Sequence, residues 1–347
     1  MPDRPPKTHV FIFDGTLSKL TDGHETNAGL LYKLLTENGA HSRQSVGYDA
    51  GIQGEGWRKW VNVAAGVTIN LSIMAGYAAL CSRYQPGDKI MLFGYSRGAY
   101  AARSLAGFIG RVGLLRRRHA MHRRVERAFR YYEAGATSAH ARRFSERFCR
   151  RDVPVEMIGV WDTVRALGLP YPGLNRLAPM ATEFHDHKLG RHVAHAFHAL
   201  ALDENRTAFS PLLWQRQPGW PGYLEQMWFA GAHADVGGQT GGHEGVRPLS
   251  NIPLVWMLRR AEMCGLLLPP DWEQRFHRDP AAPMRGNRKG LGKYFILRAP
   301  RVAGLCGSEH THPSVARRSA ALPGYQPKAQ WISQTSEEMQ AAAKPAH

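Results

Sequence analysis

The sequence predicts an α/β fold: a mostly parallel sheet flanked by helices, with a helical insertion or cap, in one domain spanning residues 1–335. Three observations predict it. Apolar runs of strand length recur along the chain and end in Asp, Ser or His, the profile of buried parallel strands that deliver loops at their carboxyl ends. Segments with helical spacing alternate with them, the order of a parallel sheet. Between one such strand and the next helix stands Gly94-Tyr95-Ser96-Arg97-Gly98, a G-x-S-x-G turn. That turn makes the fold expectation α/β-hydrolase-like.

In chain order, Thr8 to Thr16 is an apolar strand closing on Asp14-Gly15-Thr16. Asn27 to Asn38 has helical spacing through Leu30, Leu31, Leu34 and Leu35, with Asn38-Gly39 as its C-cap. Gln44 to Gly56 reads as a strand and a Gly-rich loop that lacks either phosphate-binding glycine pattern. A helix from Val67 to Tyr84 enters the Pro86-Gly87-Asp88 turn, which feeds the strand Ile90–Phe93 and then the elbow. Ala99 to Leu115 is a helix of small residues able to pack closely under a sheet.

Residues 111–151 form a basic, aromatic helical insertion. As a cap it would cover the site; as an amphipathic hairpin it would bury its aromatic rings and leave its arginines in water. Val155 to Val164 is a buried strand carrying Asp162, and His192 to Asp203 reads as either helix or strand. Gln226 to Gly238 is read as a strand ending in His233, Asp235 and two glycines, and Leu249 to Leu267 as a helix stopped by Pro269-Pro270. A late basic segment covers about 268–335, and 336–347 reads as a flexible tail.

The elbow points to acyl transfer. Its glycines let strand and helix approach closely, the serine hydroxyl projects above the sheet, and the N–H of Arg97 faces the place where an oxyanion would form. Gly15 and Thr16 are the candidates for a second oxyanion donor. Ser96, Asp162 and His233 follow in the chain order of hydrolase triads, with His233 as base and Asp162 as its orienting carboxylate. Asp203 is the rival carboxylate, His310 and His312 the rival bases, and Asp235 reads as a turn former. Asp14 read as a phosphoryl-accepting aspartate is disfavoured, because no matching lysine and acidic constellation follows.

Composition narrows the partners. Forty-five Lys and Arg against 28 Asp and Glu leave a formal charge of +17, which favours anionic surfaces. Much of it sits at Arg116-Arg117-Arg118, Arg123-Arg124 and Arg285 to Gly290. Nucleic-acid modules do not accompany these clusters, so a phospholipid surface fits better. Four cysteines, Cys81, Cys149, Cys264 and Cys306, lack ligand spacing, so neither a metal nor any other cofactor is expected. The amino-terminal stretch has no signal-peptide core and no apolar run reaches bilayer length, so synthesis as a soluble cytoplasmic chain is expected.

These blocks together resemble a bacterial and fungal family of α/β hydrolases that includes phospholipase effectors of type VI secretion. The resemblance rests on Phe13-Asp-Gly-Thr16, Thr26-Asn27, Gly87-Asp88-Lys89, Phe93 to Tyr100 with Ala102-Arg103, Gly159-Val-Trp-Asp-Thr163, His198-Ala-Leu200 with Asp203-Glu204, Trp228-Phe229, Gly231, His233, Asp235-Val-Gly-Gly238, His312-Pro-Ser314 and Tyr325. Leu17-Ser18-Lys19 stands where the family usually has a nearby asparagine. The resemblance implies roles for Ser96, Asp162 and His233 as a triad and an acyl-ester substrate of phospholipid type. For an effector it implies a secretion-spike or immunity-protein partner and delivery to a target cell's periplasm. Two other readings stay open: a cytoplasmic esterase of a small substrate, and a non-catalytic membrane- or nucleic-acid-binding protein on the same fold.

Overall fold

A computed structural model describes residues 4–16, 18–37, 43–51, 67–164, 188–288 and 295–332. The Asn38-Gly39 cap, the Gly-rich loop beyond Gly51, Leu17 and the tail after Ile332 lie outside the described residues. The chain runs β1 (Thr8–Phe13), α1 (Asn27–Glu37), β2 (Gln44–Asp49), α2 (Val67–Arg83), β3 (Lys89–Tyr95) and α3 (Arg97–Val112). It continues through β4 (Leu114–Leu115), α4 (His122–Glu133), α5 (Ala139–Phe148), β5 (Cys149–Arg150), β6 (Val155–Trp161), β7 (Val193–Ala201) and β8 (Tyr223–Phe229). The short α6 (His233–Gly237), α7 (Arg247–Met263), β9 (Val302–Ala303), β10 (Glu309–Thr311), α8 (Ser314–Ala321) and β11 (Gln330–Trp331) complete it.

The central sheet has seven strands in the order β10-β8-β7-β6-β3-β1-β2. All its pairings are parallel. Apolar residues on both sheet faces explain why: a parallel strand alternates its side chains between two buried layers and so reads as a continuous hydrophobic run. One layer joins Phe11, Phe13, Ile90 and Leu92 to α2, α3 and α4 through Ile73, Tyr77, Leu105, Phe108 and Phe129. The other joins Val10, Ile12, Met91 and Phe93 to α1 and α7 through Leu31, Leu34, Leu254 and Leu258. After β1 the chain crosses to one face, and after β3 to the other. The direction of winding therefore reverses between these neighbouring strands, which opens a crevice at their carboxyl ends where ligands of such sheets bind.

The structure decides between open sequence readings at some elements and departs from the expectation at others. Within His192 to Asp203, open between helix and strand, Val193–Ala201 is a strand, because its small and apolar residues insert between β6 and β8. The strand through Gln226 stops at Phe229 and His233 opens a separate helix, since Gly231 adopts φ 112° and turns the backbone. The Pro-bounded loop Glu309 to Ser314 contains edge strand β10, paired with β8 and held by Glu309, which accepts from Trp228 Nε1 at 2.8 Å. The basic insertion is a hairpin, α4 and α5, clipped at its base by β4 with β5. Phe129, Tyr132 and Phe144 bury it against α2 and α3, while Arg117, Arg118, Arg123 and Arg127 face water.

Candidate active site

Ser96 is placed by β3 and α3 with φ 58° and ψ −119°, a conformation that costs a non-glycine residue about 1–3 kcal/mol. Its surroundings enforce that cost. The Ser96 N–H donates to the Trp161 carbonyl at 3.0 Å, tying the elbow to the end of β6. A Cβ on Gly94 would stand 2.4 Å from the Gly98 carbonyl oxygen, and one on Gly98 would stand 2.2 Å from that of Phe13. Both positions thus exclude a side chain, and strand, helix and β1 close tightly around the serine.

Residues far apart in sequence converge there. His233 Nε2 lies 2.8 Å from Ser96 Oγ, and His233 Nδ1 lies 2.6 Å from Asp162 Oδ2. The imidazole stacks on Tyr95, with ring centroids 4.9 Å apart, and meets the edge-on ring of Phe209 at the same separation. Its backbone N–H donates to Glu204 Oε2 at 3.2 Å, and Arg206 forks onto Glu204 while covering Phe209. Ring, backbone and both nitrogens of His233 are therefore all constrained.

Asp162 is fully buried and sits at φ 43° at the end of β6. Arg301 donates to it twice, Nη1 to Oδ1 at 2.6 Å and Nη2 to Oδ2 at 2.9 Å, and the Ala201 N–H donates to Oδ1 at 3.0 Å. Burial on its own would raise the carboxyl pKa. The Arg301 charge, with hydrogen bonds from His233 and Arg301, outweighs it and holds Asp162 well below the usual carboxylate range. Asp162 is thus an anion beside Nδ1, the state that favours a proton on Nδ1 and leaves Nε2 to accept. The turn after it is fixed by His198, whose Nε2 accepts the Thr163 N–H at 3.1 Å, and burial pushes the pKa of that imidazole down to about 3.

The other sequence candidates lie apart from this cluster. Asp203 accepts from the Gly231 N–H at 2.7 Å and the Tyr325 hydroxyl at 2.8 Å, so it anchors the loop before His233 and does not contact the imidazole. Its neighbour Glu204, not Asp203, carries the pairing with Arg206. His310 and His312 sit at outer strand β10, with β8, β7 and β6 between them and β3. His312 stacks on Phe229, bonds Ser314 Oγ at 2.8 Å, and burial pushes its pKa down to about 4. Asp235 accepts from the N–H groups of Ala232 and Arg285.

Asp14 is closed off as well. Its carboxylate receives the Gly15 N–H at 2.6 Å and the hydroxyls of Ser18, Thr26 and Tyr48, so it braces the β1 loop. Of the oxyanion candidates, Gly15 N–H is thereby spent. The N–H groups of Thr16 and Arg97 have no acceptor among the described residues, and Gln239 Nε2 holds the Thr16 carbonyl at 3.1 Å. Sequence reasoning missed Arg301, Phe209 and the role of Glu204. Arg301 lay unmarked in the late basic segment, and no local pattern links it to a strand end 139 residues earlier.

A family model described as the type VI secretion phospholipase effector Tle1-like catalytic domain matches residues 7–260. The chain belongs to this family. The match runs from β1 into α7 and includes Ser96, Asp162 and His233, whereas Arg301 lies beyond it. A Saccharomyces cerevisiae protein, YEL023C, is 33% identical over 238 residues, 61% of this chain and 33% of the yeast protein. The structure of a Tle1 effector bound to the VgrG spike of the type VI secretion system aligns with TM-score 0.39 and 20% identity, over 68% of this chain and 52% of that one. An uncharacterized Pseudomonas aeruginosa protein aligns with TM-score 0.45 and 17% identity, over 79% and 49%. The chain thus spans a third of its yeast relative and about half of each solved structure.

Proposed function

We infer that this Tle1-like protein is a serine hydrolase that cleaves carboxylic esters of phospholipids through an acyl-enzyme. The observation that carries the reading is the continuous line from Ser96 Oγ through the His233 imidazole to an Asp162 carboxylate kept ionised by Arg301. Membership of a phospholipase-effector family supports the lipid ester as substrate.

In this mechanism Ser96 Oγ attacks the ester carbonyl carbon and its proton passes to His233 Nε2. Asp162 holds the opposite N–H and stabilises the imidazolium that forms. The tetrahedral oxyanion takes the Arg97 N–H, at the positive end of α3, and the Thr16 N–H. Collapse breaks the ester C–O bond, and His233 returns the proton to the departing alkoxide, releasing a lysophospholipid. Water then attacks the acyl-enzyme with His233 again as base, and the fatty acid leaves. The exposed arginines Arg117, Arg118, Arg123, Arg127 and Arg130 provide a face for an anionic membrane. The spike partner of the Tle1 effector makes a secretion spike the candidate protein partner.

The test uses the purified chain. A fluorophosphonate should label Ser96, and a phospholipid panel followed by mass spectrometry should yield fatty acid and lysophospholipid in equal amounts. Turnover that survives Ser96→Ala undiminished would overturn the mechanism.

A further inference from the structure

One residue past the nucleophile in sequence, where the ends of β1 and β2 meet α2 and α3, the fold holds a polar feature that the proposed chemistry leaves unused. Arg97 is 8% exposed, yet its guanidinium makes no hydrogen bond or ion pair with any described residue, and Nη1 is sealed from solvent without an acceptor. Arg301 and Arg318 are as buried and each leaves its Nε without a partner, but both hold oxygens through terminal nitrogens: Asp162, Ala201 and Phe209 for the first, Pro280 and Ala282 for the second. Buried donors are nearly always satisfied, so an arginine left without an acceptor in a pocket marks a place where the acceptor comes from outside. Burial pushes the Arg97 pKa down to about 10, which leaves it a cation at neutral pH.

Arg97 lines a small pocket with Asp14, Thr16, Asp49, Gly51, Thr68 and Ser72. Thr68 Oγ1 is a second buried polar atom there without a partner. The two carboxylates have donors of their own: Asp14 is closed by its loop, and Asp49 Oδ1 takes the Gly51 N–H at 2.8 Å. The unmet groups are thus a cation and a hydroxyl, and they call for an anionic oxygen. The pocket holds about 20 Å³, room for one oxygen atom, and it is open on one side, so the rest of a ligand would lie outside it.

We propose that the Arg97 guanidinium, with the Thr68 hydroxyl, is an anion subsite that takes one phosphate oxygen of a phosphodiester substrate and so sets its ester against Ser96. This rests on the hydrolase reading above. In a glycerophospholipid the phosphate lies only a few bonds from the ester carbons, so a cation one residue beyond the nucleophile is where recognition of that group belongs. Charge-assisted bonds to a phosphate oxygen are strong, and they would separate phospholipids from neutral glycerides with the same acyl chains.

The experiment compares wild type with Arg97→Met, Arg97→Lys and Thr68→Val. In mixed micelles, kcat/KM is measured for phosphatidylethanolamine and for diacylglycerol with identical chains. The ratio of the two should fall about 30-fold in Arg97→Met and less in Arg97→Lys. Thermal stability of Arg97→Met should hold or rise, because a buried cation without a partner is removed; a purely structural arginine would lower it. Calorimetry with glycerophosphoethanolamine and with inorganic phosphate provides the second arm. Binding of the diester that is lost in Arg97→Met supports the subsite. Binding of inorganic phosphate alone, an unchanged substrate ratio, or an equal fall for both lipids overturns it. Should wild type cleave neither lipid, the hydrolase reading fails by itself, and Arg97-dependent binding of the diester would still uphold the subsite.

Discussion

Two buried arginines flank Ser96 and are treated in opposite ways. On the β6 side, Arg301 gives both terminal nitrogens to Asp162 and to carbonyl oxygens, and only its Nε lacks a partner. On the β1 side, Arg97 is nearly as buried and gives its guanidinium to nothing described. A paired buried cation fixes geometry: it holds Asp162 ionised and aimed at His233. An unpaired one lowers stability and can be retained only for something that arrives later. In the hydrolase reading proposed above, one wall of the site is therefore organised in advance and the other is left for a substrate to complete.

The sharpest way to test the organised wall is to remove its chemistry. Ser96→Ala should cut kcat/KM for the ester by about 10⁴-fold or more with no loss of folding, read by steady-state kinetics and circular dichroism. Asp162→Asn should cost about 10⁴-fold in kcat by the same assay, since it removes the carboxylate that selects the imidazole tautomer. It should also destabilise, because Arg301 then faces a neutral group in a buried site.

Arg301→Met should cost about 3–5 kcal/mol in urea unfolding, the usual consequence of stranding a buried charge, and should lower kcat more than it raises KM. The double variant Asp162→Asn with Arg301→Met should recover much of that stability and none of the activity. Simple additivity of the two losses would show that the pair is not the unit described above.

The pH dependence follows from the sign of the Asp162 shift. Its folded pKa is depressed, so its contribution to stability is complete above the unfolded carboxylate value of about 4 and is lost as pH falls below it. The stability difference between wild type and Arg301→Met should accordingly be large at pH 7 and shrink by pH 3, measured by urea titration at both. A gap of constant size would mean that Arg301 acts by packing and not by charge. The smallest effect belongs to the surface: neutralising Arg116, Arg117 and Arg118 should weaken sedimentation with anionic vesicles a few-fold, in a salt-sensitive way, and leave turnover of a short soluble ester within two-fold.

Much of this architecture was legible because its signals are local. The strand-turn-helix around Ser96 is written in a continuous apolar run, two glycines whose missing Cβ atoms the packing requires, and a helix of small residues. Parallel strands follow from runs that are apolar on both faces. Where a three-residue edge strand or a five-residue helix was concerned, as at Glu309–Thr311 and His233–Gly237, the pattern was too short to register, and pairing with β8 or a positive-φ glycine decided the outcome.

What the sequence by itself determined is the order of the longer elements and the groups that follow β1, β3 and β6, since periodicity and turn chemistry act over a few residues. Only the tertiary structure decided which of those groups meet. It chose Asp162 over Asp203 as the neighbour of His233, sent His312 to an outer strand, brought Arg301 to the end of β6, and left Arg97 without an acceptor. The physical reason is that strand order and winding direction set distances between residues as far as 139 positions apart, and no spacing along the chain encodes them.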